Sequence, residues 1–352
     1  MTTSDNLLQI SQIRFPIISF LIALAGGTLS MWGGSWDVTS HLLRTPETFF
    51  TPSHTVLYAG VGVSVISAAL SLVLLIKNRE PKSYRFGFRL ILVGTMMQLI
   101  AGPGDFVWHD AFGIDGLLSP THLLLVLGIV IVLLGPVMGL GRMYLNLEKK
   151  PSFLKLVLPI SFGVFWFSIM WLVFLFVLPI SEGDTHNFNP DPYVGLVLGL
   201  TLLPFVFSVL FWTCYKTMGV FGAASAASLS FVMMNVTSNI LTSEGLIQYI
   251  PWFAAPLICA VASDYLLNSE KVIKKFSTKI AGGLLGSMFF VFCFPMFSMT
   301  ILDFYVFNDV FSYDVLPTAY DVVYEIWMVS IIPGAVFGMI GMWFASKKLQ
   351  IS

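Results

Sequence analysis

The chain has 352 residues, of which 57% are hydrophobic and 11% charged, and its formal net charge at pH 7 is −1. A typical soluble domain carries roughly 25% charged residues, so this composition excludes an ordinary soluble globule and indicates an integral membrane protein. The near-zero net charge excludes a nucleic-acid partner on electrostatic grounds.

Apolar runs of about 20 residues, the length that crosses the hydrocarbon core, predict ten spans. They fall at 14–36, 54–76, 87–109, 120–142, 153–180, 193–215, 219–241, 247–267, 279–302 and 324–346. The expected fold class is all-α, a polytopic membrane bundle of helical hairpins with short connections. Residues 14–27 end in Ala-Gly-Gly like a signal peptide, but the polar thirteen residues before them and the run into Asp37 favour a retained first helix. Even-numbered spans open near a proline: Pro52, Pro120, Pro190 or Pro192, Pro251 and Pro317. Proline suits the first helical turn, where its missing N–H would be unpaired anyway. Thr51 and Ser119 then read as N-caps, which sets His54 and His122 one turn inside their helices.

Seventeen of the eighteen Lys and Arg residues lie at the N-terminus, in even-to-odd connections or at the C-terminus, Arg44 being the exception. By the positive-inside rule these segments face the cytoplasm. The expected location is the cell membrane, multi-pass, with both termini cytoplasmic and an acidic outer face. Cys214, Cys259 and Cys293 fall within predicted spans and form no disulfide framework.

One spacing occurs twice, 68 residues apart: Asp37, His41 and His54, then Asp105, His109 and His122. Four of the five histidines are in these two copies, and the flanks match, Thr51-Pro52-Ser53 beside Ser119-Pro120-Thr121, with Gly60 and Gly128 each six residues beyond the last His. Residues 1–150 therefore read as a duplicated hairpin region carrying two triads, and 151–352 as further transmembrane helices without an assigned role. Asp303, Phe307 and Tyr320, and Asn235, Asn239 and Trp252, keep the intervals but not the ligands, so later hairpins carry no such site.

Asp at i and His at i+4 share one helical face. Two imidazoles and a carboxylate suit copper, zinc or iron, and three protein ligands leave a position open for water or substrate. Two mononuclear sites or one dinuclear site both satisfy the spacing. The plainer alternative is interfacial histidines donating to backbone carbonyls. Two copies weigh against it, because ionisable groups in membranes are costly and by default functional. His186 with Asp184 is a lesser candidate for metal capture, more simply a solvated loop pair. Asp110, Asp115 and Glu47 could orient ligands or draw cations to the mouth, or be plain loop acids. Trp36 and Trp108 read as aromatic-belt residues, and the sixteen methionines as core packing.

The spacing, with Thr-Pro-Ser-His-Thr-Val-Leu-Tyr at 51–58, resembles the first metal triad of the C subunit of the copper membrane monooxygenases, the ammonia and methane monooxygenases, and in particular that of archaeal ammonia oxidisers. Asp105-Phe-Val-Trp108-His109 and Pro120-Thr121-His122 resemble its second triad. The resemblance covers roughly residues 30–135. It implies copper at Asp37, His41 and His54 and at Asp105, His109 and His122, a small substrate such as ammonia or a short hydrocarbon oxidised with O2, and further membrane subunits as partners. The family's second triad usually begins with Asn where this chain has Asp105, its archaeal members lack four of the helices, and 151–352 resembles none of the subunits. The chain thus reads as a relative of that subunit. Two other functions fit the residues: membrane transport or delivery of copper or zinc, and a scaffold in which metal pins helix ends.

Overall fold

A computed structural model of the chain describes residues 3–42, 48, 50–77, 81–113, 117–177, 188, 190–268, 278–292 and 331–349; side chains are described from Arg14 onward, except those of 41, 42, 192, 193, 196, 248, 249, 252 and 289–292. All regular structure among these residues is helical. The helices are α1 (Thr3–Leu42), α2 (Pro52–Lys77), α3 (Lys82–Phe112), α4 (Pro120–Asn146), α5 (Ser152–Val177), α6 (Pro192–Met218) and α7 (Ala223–Thr242). After a 3-10 segment, Glu244–Tyr249, come α8 (Ile250–Phe253), α9 (Pro256–Asn268), α10 (Thr278–Phe292) and α11 (Ile331–Lys348).

Seven helices, α1 to α7, are long and apolar enough to cross a membrane. They coincide with the first seven expected spans. The eighth, 247–267, is divided into α8 and α9 at Ala254 and Ala255. Pro251 falls inside the short α8, and Pro256 opens α9. Each proline removes a backbone donor, which ends the preceding turn and permits a new start. Residues 293–302 and 324–330 of the last two expected spans lie outside the described residues, as do Pro317 and Cys293.

Helices α1 to α4 form a ring in which α1 packs on α2 and α4, and α3 on α2 and α4. Small residues set the approach at each hairpin. A Cβ on Gly60 would sit 2.3 Å from the Ser30 backbone nitrogen, and one on Gly26 would sit 2.5 Å from Ser64 Oγ. In the second hairpin a Cβ on Gly94 would lie 2.5 Å from the Gly128 carbonyl oxygen, and one on Gly135 would lie 2.9 Å from that of Gly87. Such backbone approach is how helices associate in lipid, where apolar side chains gain nothing by leaving the tails. The outward faces of α2 and α3 carry exposed Ile66, Leu72, Ile76, Val93, Met96 and Ile100, as a lipid-facing surface should.

The second half of the chain buttresses this ring. Helix α5 is buried almost all round, with Trp166, Phe167, Trp171 and Phe174 in the core, the pattern of a central helix. Helix α7 braces the far half of α1 through polar contacts: Trp32 Nε1 donates to Thr237 Oγ1 at 2.9 Å, Ser35 and Ser238 hydroxyls meet at 2.9 Å, and Thr242 Oγ1 donates to the Trp36 carbonyl at 3.4 Å. The start of α7 is held by Asp264 of α9, which accepts from the backbone nitrogens of Ala224 (3.1 Å) and Ser225 (2.8 Å) and from Ser225 Oγ (2.7 Å). At the same end Arg142 donates to the Ser83 carbonyl, and Lys150 to those of Tyr144 and Leu145.

Candidate metal centre

Asp105 and His109 lie one turn apart near the end of α3, and His122 one turn inside α4. Ser119 caps α4: its hydroxyl accepts from the His122 backbone nitrogen at 3.1 Å, with Pro120 in the first turn. The cap and proline expected from sequence are therefore present. Helix α2 likewise begins at Pro52, and the Thr51 hydroxyl donates to the Thr48 carbonyl at 3.2 Å.

The three side chains of the second triad converge. His109 Nε2 is 3.5 Å from Asp105 Oδ2, and His122 Nε2 is 3.4 Å from Asp105 Oδ1. All three donor atoms lie within 4.8 Å of one another, and each residue is partly buried. No other such cluster occurs among the described residues. Ligand atoms bonded at about 2.1 Å in a tetrahedral centre sit roughly 3.4 Å apart, the length of each carboxylate–imidazole contact, one on each Asp105 oxygen.

The far side of each ring sets its chemistry. His109 Nδ1 lies 3.0 Å from the Gly113 carbonyl, and His122 Nδ1 lies 3.3 Å from that of Leu117. A carbonyl only accepts, so each Nδ1 carries a hydrogen and each Nε2 turns its lone pair toward a carboxylate oxygen. A lone pair facing an anion is favourable only with a cation between them, either a ring proton or a metal ion. Pinning one ring nitrogen to a carbonyl is also how metal-ligating histidines are usually oriented. The donor set fits a divalent metal on both counts. Gly113 ends α3 with φ 76° and ψ −168°, a backbone region that side chains disfavour. Its carbonyl reaches His109 because the residue is glycine. Thr121 Oγ1 completes the shell by donating to Asp105 Oδ1 at 2.6 Å.

The first triad is brought together in part. His54 Nε2 meets Asp37 Oδ1 at 2.8 Å, His54 Nδ1 lies 2.9 Å from the Thr48 carbonyl, and Ser53 Oγ donates to Asp37 Oδ1 at 2.9 Å. These contacts repeat those of the second triad, with Ser53 in the place of Thr121. At 2.8 Å the pair is in direct hydrogen-bond contact, so a metal there would need it to open by roughly 0.6 Å. His41 lies on α1, but its side chain is outside the described residues. The Tyr58 ring stacks on His54 at 5.9 Å between centroids, and its phenol is within electrostatic reach of both Asp37 and Asp105.

Of the lesser candidates, Asp110 is exposed next to the second triad. Arg44, Glu47, Asp115, Asp184, His186, Asp303, Phe307 and Tyr320 lie outside the described residues. Trp108 packs on Phe112 and Phe188, with centroids 4.5 and 5.9 Å away, and Trp36 on Trp32 at 6.1 Å. Ser53, Thr121, Gly113 and Tyr58 received no role from sequence. The first two were legible: both are hydroxyl residues directly before the last His of their triad. Gly113 and Tyr58 carry no pattern that would single them out.

No family model, curated protein or solved structure matches this chain.

Proposed function

We propose that this chain is an integral membrane metal protein, with copper as its metal, related to the C subunit of the copper membrane monooxygenases. The observation that carries the metal site is the convergence of Asp105, His109 and His122, with both imidazole Nδ1 atoms tied to carbonyls and both Nε2 atoms turned to one carboxylate. The paired contacts at Asp37 and Asp105, and the matched glycine crossings, support a duplicated hairpin holding two separate mononuclear sites. The charge pattern supports ten spans, cytoplasmic termini and sites at the outer face.

In this reading Asp105, His109 and His122 hold the metal, Thr121 and Gly113 hold the ligands in place, and the remaining coordination position is open. Bound copper would supply one-electron redox chemistry and activate O2 toward a small substrate such as ammonia or a short hydrocarbon. Electrons and further membrane subunits come from outside the chain. A second reading, delivery of copper or zinc to another enzyme, rests on the same ligands and on exposed Asp110 beside them.

Elemental analysis of the purified full-length protein in detergent, after loading with Cu(II) or Zn(II), tests the site. Stoichiometric copper that falls by the second site's equivalent in a variant carrying Asp105→Ala and His109→Ala supports it. Unchanged metal content in that variant overturns it. Oxygen consumption with ammonia or a short alkane and an artificial reductant then separates oxidation from delivery.

A further inference from the structure

Lys82, Phe86, Arg89, Val93, Met96 and Ile100 recur along α3 at alternating intervals of four and three, which keeps them on one side of the helix. All six are exposed, whereas Phe88, Ile91, Thr95 and Gln98 of the opposite side are buried. Arg85 stands beside this stripe, one turn before Arg89. The stripe changes character along its length. Its first two turns hold three cations, and its next three turns hold only apolar side chains, with Val93 53%, Met96 56% and Ile100 60% exposed.

Helix α3 has 31 residues, about 46 Å at 1.5 Å per residue, and so exceeds the roughly 30 Å hydrocarbon core. The stretch from Leu90 to Gly104 contains no charged residue and belongs in the hydrocarbon. The three cations therefore lie at headgroup depth. From Arg89 to Ile100 the helix rises about 16 Å, the thickness of one leaflet's hydrocarbon.

Among the described residues, the side chains of Lys82, Arg85 and Arg89 form no ion pair or hydrogen bond. Arg85 is half-buried and its Nε is wholly enclosed, which holds the side chain against the helix instead of loose in water. Arg142 of α4 donates to the Ser83 carbonyl and adds a fourth cation at this end of α3. Unpaired charges beside hydrocarbon are costly, so these cations call for an anion from outside the chain. A phospholipid phosphate sits at that depth, and a guanidinium matches its oxygens with paired donors.

We propose that this face of α3 binds one anionic phospholipid, its headgroup on Lys82, Arg85 and Arg89 and an acyl chain along Val93, Met96 and Ile100. The cations select the charged headgroup, and the apolar half of the stripe distinguishes a lipid from a free anion. The inference rests on α3 crossing the membrane and makes no use of the metal site, so its failure leaves that reading untouched.

Native mass spectrometry of the full-length protein in mild detergent, titrated with phosphatidylglycerol or phosphatidylcholine, provides the test. One phosphatidylglycerol should be retained in preference to phosphatidylcholine. Arg85→Gln combined with Arg89→Gln should weaken its binding roughly 30-fold, at about 1 kcal/mol for each cation removed. Lys347→Gln combined with Lys348→Gln, an equal charge change at the end of α11, should leave it unchanged. Lys82→Gln should weaken it about fivefold and keeps the test open if the arginine pair does not fold. Equal affinity for the two lipids, or equal loss in the α3 and α11 pairs, overturns the proposal by reducing the attraction to diffuse charge. Displacement of the lipid by inorganic phosphate overturns it as well, since the site would then recognise a free anion.

Discussion

At the scale of single residues, the candidate site is controlled by groups that would never touch a metal. Thr121 donates to Asp105 Oδ1 at 2.6 Å. Thr121→Val keeps the volume and removes the donor, so metal affinity should weaken by about 10–100-fold, the usual cost of losing an outer-shell partner; Thr121→Ser should restore most of it. Competition titration with a chromophoric chelator reads both. The pH dependence has a definite sign. Metal and proton compete for Nε2 of His109 and His122. Affinity should therefore fall on acidification, while an affinity that rises on acidification would exclude these imidazoles as ligands. The residues of the candidate site were legible in sequence because Asp, His and spacing are all local. Gly113 was not, since its importance comes from where its carbonyl happens to aim.

At the scale of helices, backbone approach and capping dominate. Gly60 has the Ser30 backbone nitrogen 2.3 Å from where its Cβ would be, whereas Gly62, two residues on, has nothing within 4 Å. Gly60→Ala should force α1 and α2 apart and lower the melting temperature. Gly62→Ala should be neutral or stabilise by up to about 1 kcal/mol, the helix-propensity gain. Equal effects of the two in a detergent melt would show that the crossing is not this tight. Asp264→Ala leaves the Ala224 and Ser225 backbone donors without their carboxylate and should destabilise by about 1–3 kcal/mol, with Asp264→Asn intermediate; a neutral Asp264→Ala in the same melt would contradict the capping role. The long apolar helices were readable because length and composition alone define a span. The break in 247–267 was harder to see, since two prolines in an apolar run can either kink a helix or end it.

At the scale of the whole molecule, metal binding at the candidate site would be linked to folding. A ligand that binds only the folded state stabilises by about 2.7 kcal/mol at 100 times its Kd. Copper or zinc should thus raise the melting temperature of the wild type by more than that of an Asp105→Ala variant, which keeps only the first triad. A shift of equal size in both, followed by circular dichroism in detergent, would locate the metal elsewhere. Residues 151–352, without a role by sequence, pack α5 and α7 against the ring. Helix α7 holds the far half of α1 through Thr237, Ser238 and Thr242, close to Asp37.

The sequence by itself determined the helical, membrane-type architecture and singled out the residues of the candidate site. Hydrophobic length, capping prolines and the i, i+4 face are properties of a short stretch of chain. Only the tertiary structure decided which atoms meet: Asp105 between two imidazoles whose other nitrogens are held by carbonyls, Asp37 closed onto His54, and Gly60 set against Ser30 between α1 and α2. Those relations join residues from different helices, and their register is set by where glycine lets two backbones touch.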